Sequence, residues 1–240
     1  ANFIGRMSGK VVEAFVAKAD LLAASPAYSD QSGVDWKTAA ASAAKVLNHI
    51  GGVDGMDPTG WTWYCNVDDI EKLSPTESPA EILWRGERAK SLSLEEDNFP
   101  PTLYGNGRIN PTQNLVDAFP MLNGYPVSHL SGEYDENLPY ANRDPRLEAY
   151  ILYNGCKAGN TNKEIFTAAD GTTNDALNKV VGRSTRTGYY LRKLLRQDIS
   201  LDPNAKADQY HYTPRIRYTE IFLAYAEAAN QAYGPQDKGG

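Results

Sequence analysis

The sequence has few of the residues that build metal centres and disulfide frameworks. Among its 240 residues are two cysteines, Cys65 and Cys156, and three histidines. Neither cysteine belongs to a Cys-x-x-Cys motif, and the histidines lack the His-x-x-x-His or His-Glu-x-x-His spacing of zinc ligands. We therefore predict no metal site, no cofactor and no disulfide framework. Whether the two cysteines pair with each other stays open.

Long hydrophobic runs and clusters of basic residues are also absent. A membrane-spanning helix needs roughly 20 consecutive apolar residues, and no run in this sequence approaches that length. The formal net charge is -6, and no Lys/Arg-rich stripe is present to bind phosphates, which excludes nucleic acid as a partner. With 41% apolar and 22% charged residues, the composition is that of a globular chain.

Catalytic motifs are missing as well. The sequence has no Gly-x-Ser-x-Gly elbow and no phosphate-binding glycine loop. A glycosidase needs two carboxylates roughly 5 to 10 Å apart, and the adjacent pairs Asp68-Asp69 and Glu95-Glu96 are typical of solvated surface. We predict no catalytic residues and no enzymatic activity. Spacing alone does not exclude a carboxylate pair assembled from distant loops.

Two amphipathic helices are predicted near the start of the chain. Apolar residues repeat at helical spacing from Gly9 to Ser25, and Pro26 ends the pattern. The spacing places one apolar face on Val12, Phe15, Val16, Ala19, Leu22 and Ala23. A second helix is predicted from Trp36 until Gly51 ends it. Small residues in both helices let the axes approach closely, as in stacked helical hairpins.

The segment from residue 51 to residue 213 is rich in Gly, Pro, Asn, Asp and Thr, which break it into short elements. Within it we predict a short strand at Ala80–Glu87, a short helix at Thr112–Phe119 and a strand at Arg146–Asn154. So long an irregular stretch is unusual in a compact domain unless the stretch is itself functional.

Helical spacing returns from Pro214, which suits a first helical turn, and continues to Gly234. The predicted fold class is therefore mainly α, a scaffold of helical hairpins with a long loop-rich insertion that carries short strands. The predicted divisions are a helical hairpin at 1–50, an irregular subdomain at 51–213, and a returning helix at 214–240 whose partner helix is missing from the chain.

Several motifs resemble the SusD/RagB family. The segment PRIRYTEIFLAYAEAANQAYG (214–234) is similar to the family helix P-x-x-R-Y-x-E-x-x-L-x-Y-A-E-A-x-N. Other segments resemble family landmarks in the same order, namely AASP (23–26), DWKTAAASAAKVL (35–47), SPAEILW (78–84), NPTQNLVDAFPMLNG (110–124), NRDPRLEAYILYNG (142–155) and TRTGYYLRK (185–193). The resemblance spans nearly the whole chain.

The resemblance implies a cell-surface lipoprotein of the outer membrane in a Bacteroidetes-type bacterium. It implies capture of oligosaccharide nutrients, without catalysis, for a SusC-like TonB-dependent transporter, and an irregular subdomain on a tetratricopeptide-like scaffold. The sequence opens at Ala1 without a signal region or lipidation cysteine and stops directly after a helix. We therefore expect a piece of a longer protein, whose membrane attachment is an N-terminal lipid outside this chain.

Sugar recognition needs flat apolar ring faces beside groups that bond hydroxyls. Trp61, Trp63 and Tyr64 place three large rings within four residues, and these cannot all point into one core. We predict that they contribute to a ligand site. The other interpretation is a loop plug that packs onto the helices, because Trp is heavily buried on average.

Tyr104 lies in the segment PTLYGNGRIN with Asn106 and Arg108, a flexible loop rich in amides. These three residues are further ligand candidates, against the alternative that Tyr104 is an ordinary surface tyrosine. The ligand aromatics of the family lie in variable loops, so none is carried over residue by residue.

Other conspicuous residues are interpreted as structural. Asp144 and Arg146 are predicted to tie a turn by a charge-assisted hydrogen bond, with Pro145 fixing the backbone. Packing roles in the core or at the helices are predicted for Trp84, Arg217, Glu220 and Glu227.

The alternative function is a protein-interaction module of the tetratricopeptide type, which would bind a peptide in its helical groove and no sugar. A ridge of exposed aromatic side chains would favour sugar, whereas a concave groove lined by Asn, Lys and Arg would favour peptide.

Overall fold

The computed structural model describes residues 6–60 and 78–235. These residues fall into two compact units. The first contains 6–60, 78–88 and 212–235, and the second contains 89–211. Trp61, Trp63 and Tyr64 lie outside the described residues, so their assignment to a ligand site stays a prediction. The division at residues 50 and 213 likewise stays a prediction.

Helices dominate the first unit, and short elements joined by loops make up the second. In chain order the described helices are α1 (Gly9–Ala24), α2 (Ser29–Ser32), α3 (Trp36–Leu47), α4 (Ser93–Asn98), α5 (Gln113–Ala118), α6 (Pro145–Tyr150) and α7 (Tyr218–Tyr233). The described strands are β1 (Ile82–Arg85), β2 (Ala89–Ser91), β3 (Ile151–Leu152), β4 (Lys157–Ala158), β5 (Lys163–Glu164), β6 (Tyr190–Leu191), β7 (Gln209–His211) and β8 (Pro214–Arg217). No helix among the described residues is both long and apolar enough to cross a membrane.

The two N-terminal helices begin at side-chain caps. The Ser8 hydroxyl accepts a hydrogen bond from the N–H of Val11, and the Asp35 carboxylate accepts one from the N–H of Thr38. Such caps satisfy N–H groups that have no partner inside the helix. Both predicted helices are confirmed, with α3 passing into a single 3-10 turn before Gly51.

The buried face of α1 is not the predicted one. Val11, Ala14 and Ala17 are buried, whereas four residues of the predicted face are 40% to 59% exposed, namely Val12, Phe15, Val16 and Leu22. The reason is close helix packing. Ala14 and Ala17 lie in one core cluster with Ala43 of α3 and with Ile221 of α7, and small side chains permit the short axial distance. Apolar periodicity alone cannot decide between two apolar stripes.

The strand prediction at Ala80–Glu87 is confirmed, and its partner was not foreseen. β1 pairs antiparallel with β8, with Ile82 opposite Arg217 and Arg85 opposite Pro214. Pro214–Arg217 is therefore a strand, and the prediction that the last helix begins at Pro214 is wrong, because α7 begins at Tyr218. Proline is tolerated as the first residue of a strand, since it costs no ladder hydrogen bond there.

The remaining structural predictions for the first unit have mixed outcomes. Trp84 packs against the core cluster and meets Phe15 edge to face at 5.5 Å, which confirms its packing role. Glu220 forms an ion pair with Lys18 of α1. Glu227 is exposed, so its predicted packing role is not supported by burial.

The second unit contains three two-stranded pairings, β2 with β7, β3 with β6 and β4 with β5. Its larger core cluster consists of Phe99, Leu103, Leu152, Cys156, Ala158, Ile165, Tyr190, Leu195, Ile199 and Leu201. The helix predicted at Thr112–Phe119 is confirmed as α5, with the Thr112 hydroxyl as its cap.

Two predictions in the second unit are wrong in part. Residues 145–150 form helix α6, and only Ile151 and Leu152 of the predicted strand are extended. Asp144 followed by Pro145 is a helix start, because the carboxylate caps the helix and proline suits its first position. The predicted Asp144–Arg146 bond is confirmed, with Arg146 Nε 2.9 Å from Asp144 Oδ1. Glu95, predicted on the surface, is fully buried and accepts a hydrogen bond from the N–H of Arg196.

Candidate functional site

A cleft of about 230 Å³ opens in the second unit. Its apolar lining includes Phe99 and Leu103, both buried. Its remaining lining consists of Tyr104, Asn160, Thr161, Lys163, Ile199, Ser200, Leu201, Asp202, Ala205 and Ala207. The volume lies below the roughly 300–1,000 Å³ of sites that enclose a drug-sized ligand. The cleft therefore suits part of a larger molecule better than the whole of one.

Tyr104 projects from a tight turn beside this cleft. Pro101–Leu103 form a single 3-10 turn that ends at Tyr104, whose φ of 65° is left-handed. The N–H of Tyr104 donates to the Pro101 carbonyl at 2.9 Å. Tyr104 is 45% exposed. A left-handed backbone is uncommon for a bulky residue and persists where the surroundings impose it.

Gly105 is part of what imposes this conformation. A Cβ added to Gly105 would lie 2.1 Å from the carbonyl oxygen of Phe99, a distance that no side chain tolerates. The N–H of Gly105 donates to the Pro100 carbonyl at 3.2 Å, and the Gly105 carbonyl accepts from the Arg183 guanidinium at 2.9 Å. Close packing against Phe99 and these two hydrogen bonds therefore fix the position of the backbone at Gly105.

The β4–β5 hairpin supplies the cationic side of the cleft. Its loop carries Asn160 and Thr161, and Lys163 begins β5. The Lys163 ammonium lies 5.4 Å from the centroid of the Tyr104 ring and 3.5 Å from the Thr102 carbonyl oxygen. The first distance is that of a cation–π contact. The second is at the limit of a hydrogen bond.

The loop 201–206 contributes Leu201, Asp202 and Ala205 to the lining. An antiparallel bridge between Ser200 and Ala207 closes this loop. The Asp202 carboxylate accepts a hydrogen bond from the N–H of Asn204 at 2.9 Å, which fixes the turn. The cleft thus combines an exposed aromatic ring with a carboxylate acceptor, an amide and an ammonium donor, and these groups together can bond hydroxyls.

A buried carboxylate lies behind the turn. Asp175 is fully buried, and its Oδ1 accepts a hydrogen bond from the N–H of Thr102 at 2.8 Å. Burial raises the pKa of Asp175, while the hydrogen bond from Thr102 and the positive charge of Lys163 act to lower it. The backbone carbonyl of Asp175 accepts from the Tyr190 hydroxyl at 2.9 Å. The carboxylate is therefore held in place by the core.

The family model described as the SusD family matches residues 83–238. The chain belongs to the SusD family. The family predicted from the sequence motifs is thereby confirmed. A comparison with curated proteins gave no match for this SusD-family chain.

Solved structures with the same fold include two from Bacteroides fragilis NCTC 9343. One, described as a SusD-like carbohydrate binding protein, has a TM-score of 0.69 and 22% identity, and the match covers 98% of this chain and 42% of that one. The other, a SusD-like protein, has a TM-score of 0.68 and 21% identity, with coverage of 98% and 46%. The SusD-family chain thus spans less than half the length of either structure. Its fold is that of SusD-like proteins, while the tetratricopeptide-like arrangement of its helices stays a prediction.

Of the predicted ligand residues that the structure describes, Tyr104 lies in the cleft. Asn106 and Arg108 do not line it. The N–H of Asn106 donates to the Glu96 carbonyl at 2.9 Å, and the Arg108 guanidinium lies 3.2 Å from the Asp97 carboxylate. Their role in ligand binding stays a prediction.

Sequence reasoning missed Asn160, Lys163 and Asp202. All three occur in or beside polar turns, which are common on any surface. They lie some 56 to 98 positions after Tyr104 in the printed sequence. Only the folding of two separate loops onto the 101–104 turn brings them together, and no local pattern encodes that approach. Among the described residues, no group of three His, Cys, Asp or Glu side chains could hold a metal ion.

Proposed function

We propose that this chain binds oligosaccharide, without catalysis, in the cleft beside Tyr104. The observation that carries the proposal is the Tyr104 ring itself, 45% exposed on a constrained turn and bordered by Lys163 in the same cleft. Aromatic faces pack against the C–H groups of a pyranose, and the polar rim bonds its hydroxyls. The carbohydrate-binding description of one structural relative supports the same ligand class.

The cleft size is in keeping with recognition of a short part of a longer glycan. One aromatic contact and a few exposed hydrogen bonds are expected to give micromolar to millimolar dissociation constants, on the order of -4 to -8 kcal/mol. Affinity of this kind favours rapid capture and release over retention.

The family relationship supports a wider proposal for the complete protein. We propose that it is a surface-exposed lipoprotein of the outer membrane and delivers its glycan to a SusC-like TonB-dependent transporter. Its membrane attachment would be an N-terminal lipid. Co-purification of the complete protein with a transporter from a membrane fraction, lost when the lipidation cysteine is replaced, would support this arrangement.

Isothermal titration with a panel of oligosaccharides tests the ligand class. We expect at least one binder, weakened roughly 3- to 10-fold by Tyr104→Ala because the ring contact is lost. Tyr125→Ala is the matched control, since Tyr125 is also 45% exposed and does not line the cleft. If no oligosaccharide binds, or if both variants bind like the unchanged chain, the cleft is not the sugar site.

One observation favours the alternative of a peptide ligand. A second cleft, of about 370 Å³, lies in the first unit and is lined by Pro214, Arg215, Arg217, Thr219, Glu220 and Leu223. The Arg215 guanidinium beside Leu223 is suited to an acidic peptide with an apolar anchor, whereas the Arg217 guanidinium is paired with Glu81. Binding of such a peptide, weakened by Arg215→Ala and unaffected by Tyr104→Ala, would support this second function.

A further inference from the structure

We infer that Asp175 is a positioning residue for the ligand ring of Tyr104, acting through the peptide N–H of Thr102. The inference rests on the proposed function, because it assigns Asp175 a role in binding at the same cleft. Asp175 does not line the cleft and is fully buried. Among the described residues, the hydrogen bond that its side chain accepts comes from the Thr102 N–H, in the turn that carries Tyr104.

The Thr102 peptide is held from two sides by residues distant in sequence. Its N–H donates to the Asp175 carboxylate at 2.8 Å across 73 positions of the chain. Its carbonyl oxygen lies 3.5 Å from the ammonium of Lys163, 61 positions away. Thr102 is the middle residue of the 3-10 turn, so these contacts fix the segment immediately before Tyr104.

The Thr102 N–H is the donor of the turn that bonds outside it, because the N–H groups of Leu103, Tyr104 and Gly105 donate to the Pro100 and Pro101 carbonyls. A single turn of 3-10 helix has poorer hydrogen-bond geometry than an α-helix. Tyr104 adds a left-handed backbone, which is strained for a residue with a bulky side chain. Loss of the Asp175 acceptor therefore frees the start of the turn, although Gly105 still holds its end, and the Tyr104 ring samples more positions. A ring held in one position pays less ordering entropy when a ligand binds.

Asp175 is an unfavourable residue for a purely structural site. Its second oxygen, Oδ2, is buried and has no hydrogen-bond partner among the described residues. Burial of a half-satisfied carboxylate destabilises a fold, and the raised pKa of Asp175 has the same cause. An apolar side chain of the same shape would avoid this cost, but it would leave the Thr102 N–H without its acceptor.

The side chains of Asp, Asn and Leu have similar shapes. Two substitutions at position 175 therefore separate the effect of the hydrogen bond from the effect of side-chain volume. Asp175→Asn keeps a carbonyl oxygen where Oδ1 accepts from Thr102, and Asp175→Leu removes the acceptor while filling the same space. Amide hydrogen exchange at residues 102–105, measured without ligand, is expected to be faster in Asp175→Leu and unchanged in Asp175→Asn. Equal exchange in the two variants would overturn the inference.

A double-mutant cycle tests whether the effect reaches the ligand through Tyr104. The probe is the oligosaccharide that binds the unchanged chain most tightly in the titration panel. Asp175→Leu is expected to weaken binding about threefold when Tyr104 is present and to have no further effect in the Tyr104→Ala background. Asp175→Asn should bind within about twofold of the unchanged chain. An equal loss in both backgrounds would mean a general structural effect and would overturn the inference.

The failures of the two proposals are distinguishable. If Tyr104→Ala weakens binding and Asp175→Leu does not, only the positioning role is wrong. If Tyr104→Ala has no effect, the proposed function at this cleft fails, and the positioning role fails with it. Circular dichroism checks that each variant folds. If Asp175→Leu does not fold, Asp175→Ala replaces it in every comparison.

Discussion

Arg217 and Glu81 form an ion pair in the first unit, with Arg217 Nε 3.1 Å from Glu81 Oε1. The same carboxylate oxygen accepts hydrogen bonds from the N–H and the hydroxyl of Thr219, at 3.2 and 2.6 Å. Helix α7 has no side-chain cap from its own N-cap residue, so Glu81 caps it from 136 or more positions away. The sequence motifs SPAEILW and PRIRYTE therefore meet in one capping arrangement at the start of α7.

Replacing Glu81 should destabilise the first unit strongly. Glu81→Ala removes the helix cap and leaves the largely buried Arg217 guanidinium without this carboxylate, and we expect a loss of about 3 kcal/mol in the free energy of unfolding. Urea unfolding followed by circular dichroism measures the change. Glu87→Ala, at an exposed position nearby, is the control and should change stability by less than about 0.5 kcal/mol. A loss of similar size in both variants would contradict the capping role.

The Asp144 cap of α6 should show a defined pH dependence. The hydrogen bond from Arg146 lowers the pKa of Asp144 from its ordinary value of 3.8, despite partial burial. A lowered folded pKa means that ionisation stabilises the fold above pH 3.8 and that this stabilisation is lost as the pH falls through the folded value. Asp144→Ala should therefore cost about 1 kcal/mol at pH 7, and the difference from the unchanged chain should shrink below pH 3.8.

Asp144→Asn is the informative companion variant. Its amide oxygen can still accept the hydrogen bond from the Arg146 N–H, which the carboxylate accepts at 2.9 Å, but it cannot titrate. We expect most of the stability to be retained at pH 7 and its pH dependence to be weaker. A pH profile of the asparagine variant that parallels the unchanged chain would assign the dependence to other carboxylates.

The thiol of Cys156 should be inert in the folded protein. Cys156 is a buried free thiol in the larger core cluster of the second unit, and burial raises its pKa to about 11. At pH 8 only about 0.1% of such a group is thiolate, the form that reacts. In a Cys65→Ser background, iodoacetamide labelling followed by mass spectrometry should be very slow in buffer and complete in urea. Rapid labelling in buffer would show that this core opens readily.

The tryptophan cluster is testable independently of the described structure. If Trp61 and Trp63 contribute ring faces to a sugar site, Trp61→Ala and Trp63→Ala should each weaken oligosaccharide binding by roughly 3- to 10-fold. Thermal unfolding of both variants distinguishes this outcome from the alternative of a loop plug, which predicts lower stability with unchanged affinity. Unchanged affinity in both variants would remove the cluster from the site.

Local chemistry made much of the first unit predictable. Helical spacing together with the stops at Pro26 and Gly51 predicted α1 and α3, because these signals act on the backbone within a few residues. The strand at Pro214–Arg217 was not predictable in the same way, because its pairing with β1 lies far away in sequence. The buried stripe of α1 was hidden for another reason. The contact surface selects small side chains, whereas hydrophobicity ranks the larger ones first.

The candidate site was predictable at one residue. Tyr104 stood out as an aromatic ring among glycines and amides, and it lies in the cleft. Lys163 and Asp202 are ordinary polar turn residues until two loops fold against the turn. Glu95 shows the opposite error. Its acidic neighbour Glu96 suggested solvent, but the N–H of Arg196 and the His211 ring stabilise the Glu95 carboxylate inside the unit.

The turn at residues 101–105 constrains the backbone at position 104 and the residue type at position 105. Its hydrogen bonds use the backbone of Tyr104, through the N–H to Pro101, and close contact with Phe99 restricts position 105 to glycine. The side chain at position 104 takes no part in these bonds. If the cleft binds a ligand as proposed, a substitution at position 104 would change the group that meets the ligand without removing the hydrogen bonds of the turn.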